Sequence, residues 1–310
     1  MIHQGEALGG ARFLASLVPF LRRPITLDEA RATLRHRFEH RADDFLQFAR
    51  QSVFRQPGSP YQRLFALAGC EHGDLERMVR RDGVDVALAT LARHGVYLTI
   101  DEFKGRRAIV RGSTTIDAQP GPPRDPGATS HLSVHTGGRR GAGATVGIDL
   151  AYVRDRAVDT CLAFHAIGGA RWEHAIWGVP GGSTVVVLLE FAAFGGRVSR
   201  WFSQIDPALR DLHPRYRWSA RVIRWGSTGA PTRLPALEHV PLAEPGPILR
   251  WIDDVRRGGG TPHLHTHCSS VVRLCQAAEA AGMRLDGAQF TAASEPTTAV
   301  RLATIRRAGG

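Results

Sequence analysis

The fold is decided by the stretch PHLHTHCSSVVRLCQAAEAAG, residues 262–282, which predicts a strand at 263–267 and a helix at 269–281. A second strand is predicted at 288–292, and a last helix opens at Pro296, since proline favours a first helical turn. Alternating strands and helices are typical of an α/β domain with a largely parallel sheet flanked by helices.

The same alternation extends upstream. Strands are predicted at 131–134 and at 183–189, the second because a β-branched, fully apolar run suits a strand buried on both faces. Helices are predicted at 151–166 and 247–257. The first hundred residues predict mainly helices, beginning at a capping box formed by Thr26 and Glu29, with a short strand at 96–99.

Residues 117–129 are too rich in proline and glycine for a regular element. We therefore predict three parts: a helical region at 1–116, a loop at 117–129 and an α/β part at 130–310.

Composition limits the class of protein. The chain has 310 residues, of which 43% are apolar and 22% charged, which does not fit a disordered chain. The longest apolar run, Val185–Phe194, contains Glu190 and is too short to cross a bilayer, and no signal peptide is recognised. Four cysteines without a C-x-x-C pair fit a reducing compartment. We therefore expect a cytoplasmic protein without a membrane span.

The formal net charge of +11 does not by itself indicate a nucleic-acid site. Lys104 is the only lysine among 40 basic residues, and the arginines are dispersed or paired. This excess of arginine over lysine fits genome base composition, and the sequence contains no recognisable nucleic-acid-binding module. We expect no dedicated nucleic-acid site.

Two segments carry candidate chemistry. Residues 136–143 form a glycine- and hydroxyl-rich turn after a strand, where backbone amides can face an anion and Arg139 or Arg140 can neutralise phosphate. The alternative is a flexible surface loop. Residues 290–301 run from a strand through a turn of small residues, Ser294-Glu295-Pro296, into a helix. The alternative there is an ordinary turn in which Glu295 interacts with the helix dipole.

Three histidines, His263, His265 and His267, share one face of their strand and suggest a metal site. Same-face neighbours on a strand lie about 6.5–7 Å apart, however, which is too far for three in line to converge on one ion. We therefore predict that they belong to a strand that lines the active site, and we predict no metal site.

Together, these segments resemble the N-terminal region of the adenylate-forming superfamily. The likeness is closest to its phenylacetate–CoA ligase branch and to the acyl-protein synthetase of bacterial luminescence. It rests on four segments: Ser59–Gly69, Thr136–Gly143, Pro262–Ser270 and Ala293–Pro296. The last resembles the Gly-Ala-Glu-Pro turn against which adenine packs in that family.

The resemblance implies that ATP, with Mg²⁺, activates a carboxylic acid as an acyl-adenylate for transfer to coenzyme A or a carrier protein. It assigns phosphate binding to Thr136, Gly137, Gly138, Arg139, Arg140 and Gly141. It assigns adenine binding to Ser294, Glu295 and Pro296, and places Trp177 and His267 near the acyl pocket. The alternative is a degenerate, non-catalytic relative that acts as a binding or scaffolding subunit.

The chain departs from the family pattern in two ways. Its glycine-rich loop has no lysine, and it ends at Gly310, before the positions of the family's Tyr-Gly-x-[Ser/Thr]-Glu segment and catalytic lysine. We therefore expect an incomplete large domain: a fragment, a split subunit or an inactive relative. We also expect a sheet that ends in an open strand edge, a chain that associates or is poorly soluble, and no acid-dependent pyrophosphate exchange by residues 1–310 alone.

Overall fold

The computed structural model describes residues 4–56, 58–116, 132–135, 145–208, 223–228, 230 and 233–310. The chain divides into two compact units, residues 32–129 and residues 1–31 with 130–310. Helix α1 (Gln4–Leu21) therefore belongs with the α/β part, whereas the sequence placed it in a helical region at 1–116. Helix α2 (Leu27–Glu39) spans the boundary between the units.

The unit at 32–129 is mainly helical, as predicted. Its further helices are α3 (Arg41–Ala49), α4 (Pro60–Leu67), α5 (His72–Asp82), α6 (Val84–Arg93) and α7 (Ile100–Phe103). An antiparallel hairpin of β1 (Ile109–Arg111) and β2 (Thr114–Ile116) completes its described part. The strand predicted at 96–99 is wrong, because Thr99 instead forms a capping box with Glu102 that starts α7.

Arg111 fastens the hairpin to the loop before α7. Its guanidinium donates to the buried carboxylate of Glu102 at 2.7 Å and to the Gly95 carbonyl at 2.9 Å. The bond from Arg111 is the main cause that lowers the pKa of Glu102 to about 2, although burial opposes it. The pair therefore remains ionised at neutral pH.

Arg111→Ala is expected to lower the free energy of unfolding by about 2–3 kcal/mol, because it removes the charged hydrogen-bond donor of a buried carboxylate. Urea denaturation measures the loss. Arg106→Ala, which removes a more exposed pair with Asp101, should change stability by less than about 1 kcal/mol. Equal effects of the two substitutions would contradict a structural role for the buried pair.

The α/β unit contains one five-stranded sheet with the order β7-β6-β5-β8-β9, in which every pairing is parallel. The strands are β5 (Glu173–Gly178), β6 (Arg197–Ser203), β7 (Leu237–His239), β8 (Pro262–His267) and β9 (Gln289–Ala293). The predicted α/β class and parallel sheet are thus confirmed. Strands β3 (Leu132–His135) and β4 (Thr145–Ile148) form a separate antiparallel pair.

Helices cover both faces of the sheet. On one face lie α1, α8 (Leu150–Ala166) and α9 (Gly182–Ala193); on the other lie α10 (Gly246–Arg257), α11 (Cys268–Ala280) and α12 (Ala299–Arg307). Side chains of β5 alternate between the two cores, with Ile176 in the first and Ala175 and Trp177 in the second. This is a doubly wound architecture.

The strand predicted at 183–189 is wrong, because these residues belong to the buried helix α9. A short apolar run does not distinguish a buried strand from a buried helix by its periodicity. The apolar segment is in fact long enough for three helical turns, and its one charged residue, Glu190, is buried and paired with Arg156. The preceding strand β5 and the following strands β6 and β7 were not predicted.

The sheet ends at β9, which pairs with β8 and with no other strand in the described part of the chain. The five residues of β9 carry no charge and no proline, which are two of the devices that protect a strand edge. The association expected from the sequence stays a prediction.

Candidate functional site

The candidate site is the carboxyl edge of the sheet beside β5 and β8. From these neighbours the chain continues in opposite directions, through α9 to β6 on one side and through α11 to β9 on the other. In doubly wound sheets this switch point opens a crevice where ligands bind. The turn that follows β5 begins at Val179, helix α11 begins at Cys268 directly after β8, and Ser294 follows β9 at the same edge.

Polar side chains tie the strand ends together. The Gln204 amide, just after β6, donates to the Trp177 carbonyl at 3.3 Å and to the Ser270 hydroxyl at 3.0 Å. The Thr266 hydroxyl donates to the same Trp177 carbonyl at 2.6 Å. These hydrogen bonds join the carboxyl ends of the adjacent strands β6, β5 and β8 and fix their positions relative to one another.

The carboxylate of Glu295 is fully engaged at this edge. It accepts from the Ser269 backbone N–H at 2.8 Å, from the Ser269 hydroxyl at 2.9 Å and from Arg301 at 3.1 Å. Burial raises the pKa of Glu295, but the two Ser269 bonds and the nearby Arg301 and His267 more than offset it, so the pKa lies below its ordinary value. Glu295 is therefore an anion at neutral pH and caps α11.

The turn before α12 differs from the prediction. The helix begins at Ala299, not at Pro296, because the Thr298 side chain caps it by accepting from the Arg301 N–H. Ser294 has a φ of 66° and is the one non-glycine residue with positive φ in the described part. This left-handed conformation costs about 1–2 kcal/mol for a residue with a side chain, so the surroundings must hold it.

A line of histidines runs along β8 toward the same edge. At its buried end, the Nδ1 atoms of His263 and His174 lie 2.9 Å apart, and Nε2 of His263 lies 2.8 Å from the Thr291 hydroxyl. Nε2 of His174 has no partner in the described part, so the tautomer that leaves no unpaired N–H has His174 Nδ1–H donating to His263. Burial lowers the pKa of both rings, which are neutral.

The line continues with His265 and His267, both half-buried. Burial, and then the neighbouring His267, lower the pKa of His265 to about 4. The sequence predicts that the three histidines of β8 share one face of the strand. In agreement, the rings of His263 and His265 both contact the Phe191 ring of α9. No group of three or more His, Cys, Asp or Glu side chains suited to a metal occurs among the described residues.

The structure brings some predicted site residues together. His267 and the turn Ser294–Pro296 lie at the same edge, and His267 is close enough to Glu295 to influence its pKa. The phosphate-binding residues predicted at 136–141 lie outside the described residues.

Trp177 does not lie at an accessible surface. It is 0% exposed, packs in the core with Phe202 and Leu264, and its indole N–H donates to the Val240 carbonyl at 2.9 Å. Its position supports a core role in place of the acyl-pocket role predicted from the sequence.

Sequence reasoning also missed Ser269, Arg301 and Gln204, whose roles depend on hydrogen bonds between distant parts of the chain.

Searches against protein-family models and against curated proteins find no match to this chain. No helix in the described ranges is long and apolar enough to span a bilayer.

Proposed function

We propose that the α/β unit binds ATP and a carboxylic acid at the carboxyl edge of its sheet and takes part in forming an acyl-adenylate. The observation that carries the proposal is that His267, at the end of β8, borders the switch point of a doubly wound parallel sheet, with the turn Ser294–Pro296 beside it at the end of the neighbouring strand β9. The sequence resemblance had assigned adenine and acyl binding to these same residues.

The chemistry is an in-line displacement. A carboxylate oxygen attacks the α-phosphorus of ATP, the bond from that phosphorus to the bridging oxygen breaks, and pyrophosphate leaves. No proton needs to move, so the protein contributes by positioning the reactants and neutralising charge. The backbone of Ser294–Pro296 offers a surface for the base, and His267 a hydrogen-bonding ring near the acid. Residues 136–141, with Arg139 and Arg140, would contact the phosphates.

Magnesium would arrive bound to the phosphates of ATP, whose negative charge it would partly neutralise.

The double variant Arg139→Ala/Arg140→Ala is expected to weaken ATP binding at least about tenfold, because each arginine can form a charge-assisted bond to phosphate. Isothermal titration of the full chain with ATP and magnesium measures the affinity. Arg106→Ala/Arg107→Ala, an adjacent pair in the other unit, is the control and should bind as the wild type does. Unchanged affinity of the first variant would show that Arg139 and Arg140 contact no phosphate.

Acid-dependent exchange of labelled pyrophosphate into ATP, assayed with aryl and fatty acids, tests whether this chain catalyses the reaction by itself. Exchange would establish an acid-activating enzyme and would contradict the expectation that residues 1–310 alone do not exchange pyrophosphate. ATP binding that is sensitive to Arg139 and Arg140, without exchange in any acid, would support the nucleotide site and would fit both an incomplete enzyme and the non-catalytic relative. A wild-type chain that binds no ATP would refute both readings of the nucleotide site.

A further inference from the structure

Glu295 is held by hydrogen-bond donors from two helices. The Ser269 N–H and hydroxyl come from the first turn of α11, and the Arg301 guanidinium comes from α12. Oε1 accepts from the hydroxyl, while Oε2 accepts from the N–H and from Arg301, so both carboxylate oxygens are used within the protein. Arg301 also donates to the Pro296 carbonyl at 3.0 Å, which places one guanidinium on both residues that follow Ser294.

These contacts surround the strained part of the turn. Ser294 adopts a left-handed conformation that a serine does not prefer, and it is exposed, so its own side chain is not packed into a core. Such a conformation persists where contacts made by neighbouring residues hold the backbone in place. The bonds to Glu295 and Pro296, immediately after Ser294, are contacts of this kind.

We propose that Ser269 and Arg301 are positioning residues that hold Glu295, and thereby preset the turn at Ser294–Pro296 in the shape that receives the nucleotide base. The inference rests on the proposed function. It changes the role of Glu295, whose carboxylate serves as an anchor within the protein, while the backbone of the turn makes the contact with the base. A ligand that needs an ordered turn binds more weakly when only a fraction of molecules hold that turn.

The test compares Arg301→Ala and Ser269→Ala with the control variant Arg307→Ala. Arg307, at the carboxyl end of α12, donates a hydrogen bond to Glu279 of α11. The control therefore removes a bond between the same two helices at a distance from the turn. Titration with ATP and magnesium gives the affinity. Hydrogen exchange of peptides covering 290–298, measured on the full chain without ligand, gives the order of the turn.

Arg301→Ala is expected to weaken ATP binding about tenfold and to speed exchange in the turn, as expected when a tenth of the molecules are preorganised. Ser269→Ala, which keeps the backbone donor, should act in the same direction with a smaller effect. Arg301→Lys should restore part of the affinity, because lysine can still donate to Glu295. Arg307→Ala should leave both measurements unchanged.

Wild-type affinity and exchange in Arg301→Ala would overturn the proposal. Equal losses in Arg307→Ala and Arg301→Ala would also overturn it, because they would show a general effect of docking α12. If the wild type binds no ATP, the proposed function fails and the positioning role for a nucleotide fails with it. Faster exchange in Arg301→Ala would then still show that Arg301 orders the turn, so the two failures are distinguishable.

Discussion

Trp177→Ala is expected to lower the free energy of unfolding by about 3–5 kcal/mol, the largest effect of any single substitution proposed for this chain. The side chain is 0% exposed and lies in the core between the sheet and helices α10 and α11. Truncation would leave a cavity, and the buried Val240 carbonyl would lose its indole donor. Urea denaturation followed by circular dichroism measures the change.

Trp225→Ala is the matched control, because that indole is 79% exposed and its removal should change stability by less than about 0.5 kcal/mol. Trp177→Phe should fall between the two, since it retains most of the packing and loses the bond. If Trp177→Ala were as mild as Trp225→Ala, Trp177 would face an open pocket, as the sequence resemblance implied.

Acidification from pH 7 to pH 5 is expected to remove about 2 kcal/mol of unfolding free energy for each of the buried rings of His174 and His263. Their pKa is lowered by burial from the ordinary 6.5, so the folded protein keeps both rings neutral at pH 5. The unfolded chain binds protons at both positions below about pH 6.5, and stability therefore falls as the pH falls. Urea titrations at several pH values measure the slope.

The double variant His174→Leu/His263→Leu should have a flatter dependence on pH. His265 contributes in the same direction, because its pKa is lowered to about 4. Glu190 opposes them, since burial raises its pKa and the folded state binds its proton more readily. A double variant with the same pH dependence as the wild type would contradict the assignment of neutral, buried rings.

The parallel sheet could be predicted in part from the sequence, and its errors have identifiable causes. Strands β8 and β9 and helix α11 have clear boundaries, and they were predicted to within about two residues. Strand β5 was missed because its side chains are buried on both faces and include histidine and tryptophan, so it shows no alternation of polar and apolar residues. The sequence of helix α9 predicts a strand for a related reason, because the helix is apolar on nearly every side apart from Glu190.

The candidate site could also be predicted only in part from the sequence. His267 and Ser294–Pro296 could be placed at one edge from sequence, because the carboxyl ends of parallel strands meet there. The bond between Ser269 and Glu295 joins residues 26 positions apart through side chains, and no periodic pattern reports such a contact. The left-handed backbone of Ser294 was equally hidden, because serine does not signal that conformation as glycine does.

The most direct test of the nucleotide site is hydrogen exchange across the full chain, with and without ATP and magnesium. The account predicts slower exchange on binding in peptides covering 267–270 and 293–298 at the carboxyl edge of the sheet, and in the peptide covering 136–143. Protection confined to other parts of the chain, such as the cleft between α1 and α8 lined by Phe20, Arg23 and Arg154, would contradict it. Unchanged exchange everywhere at saturating ATP would contradict it as well.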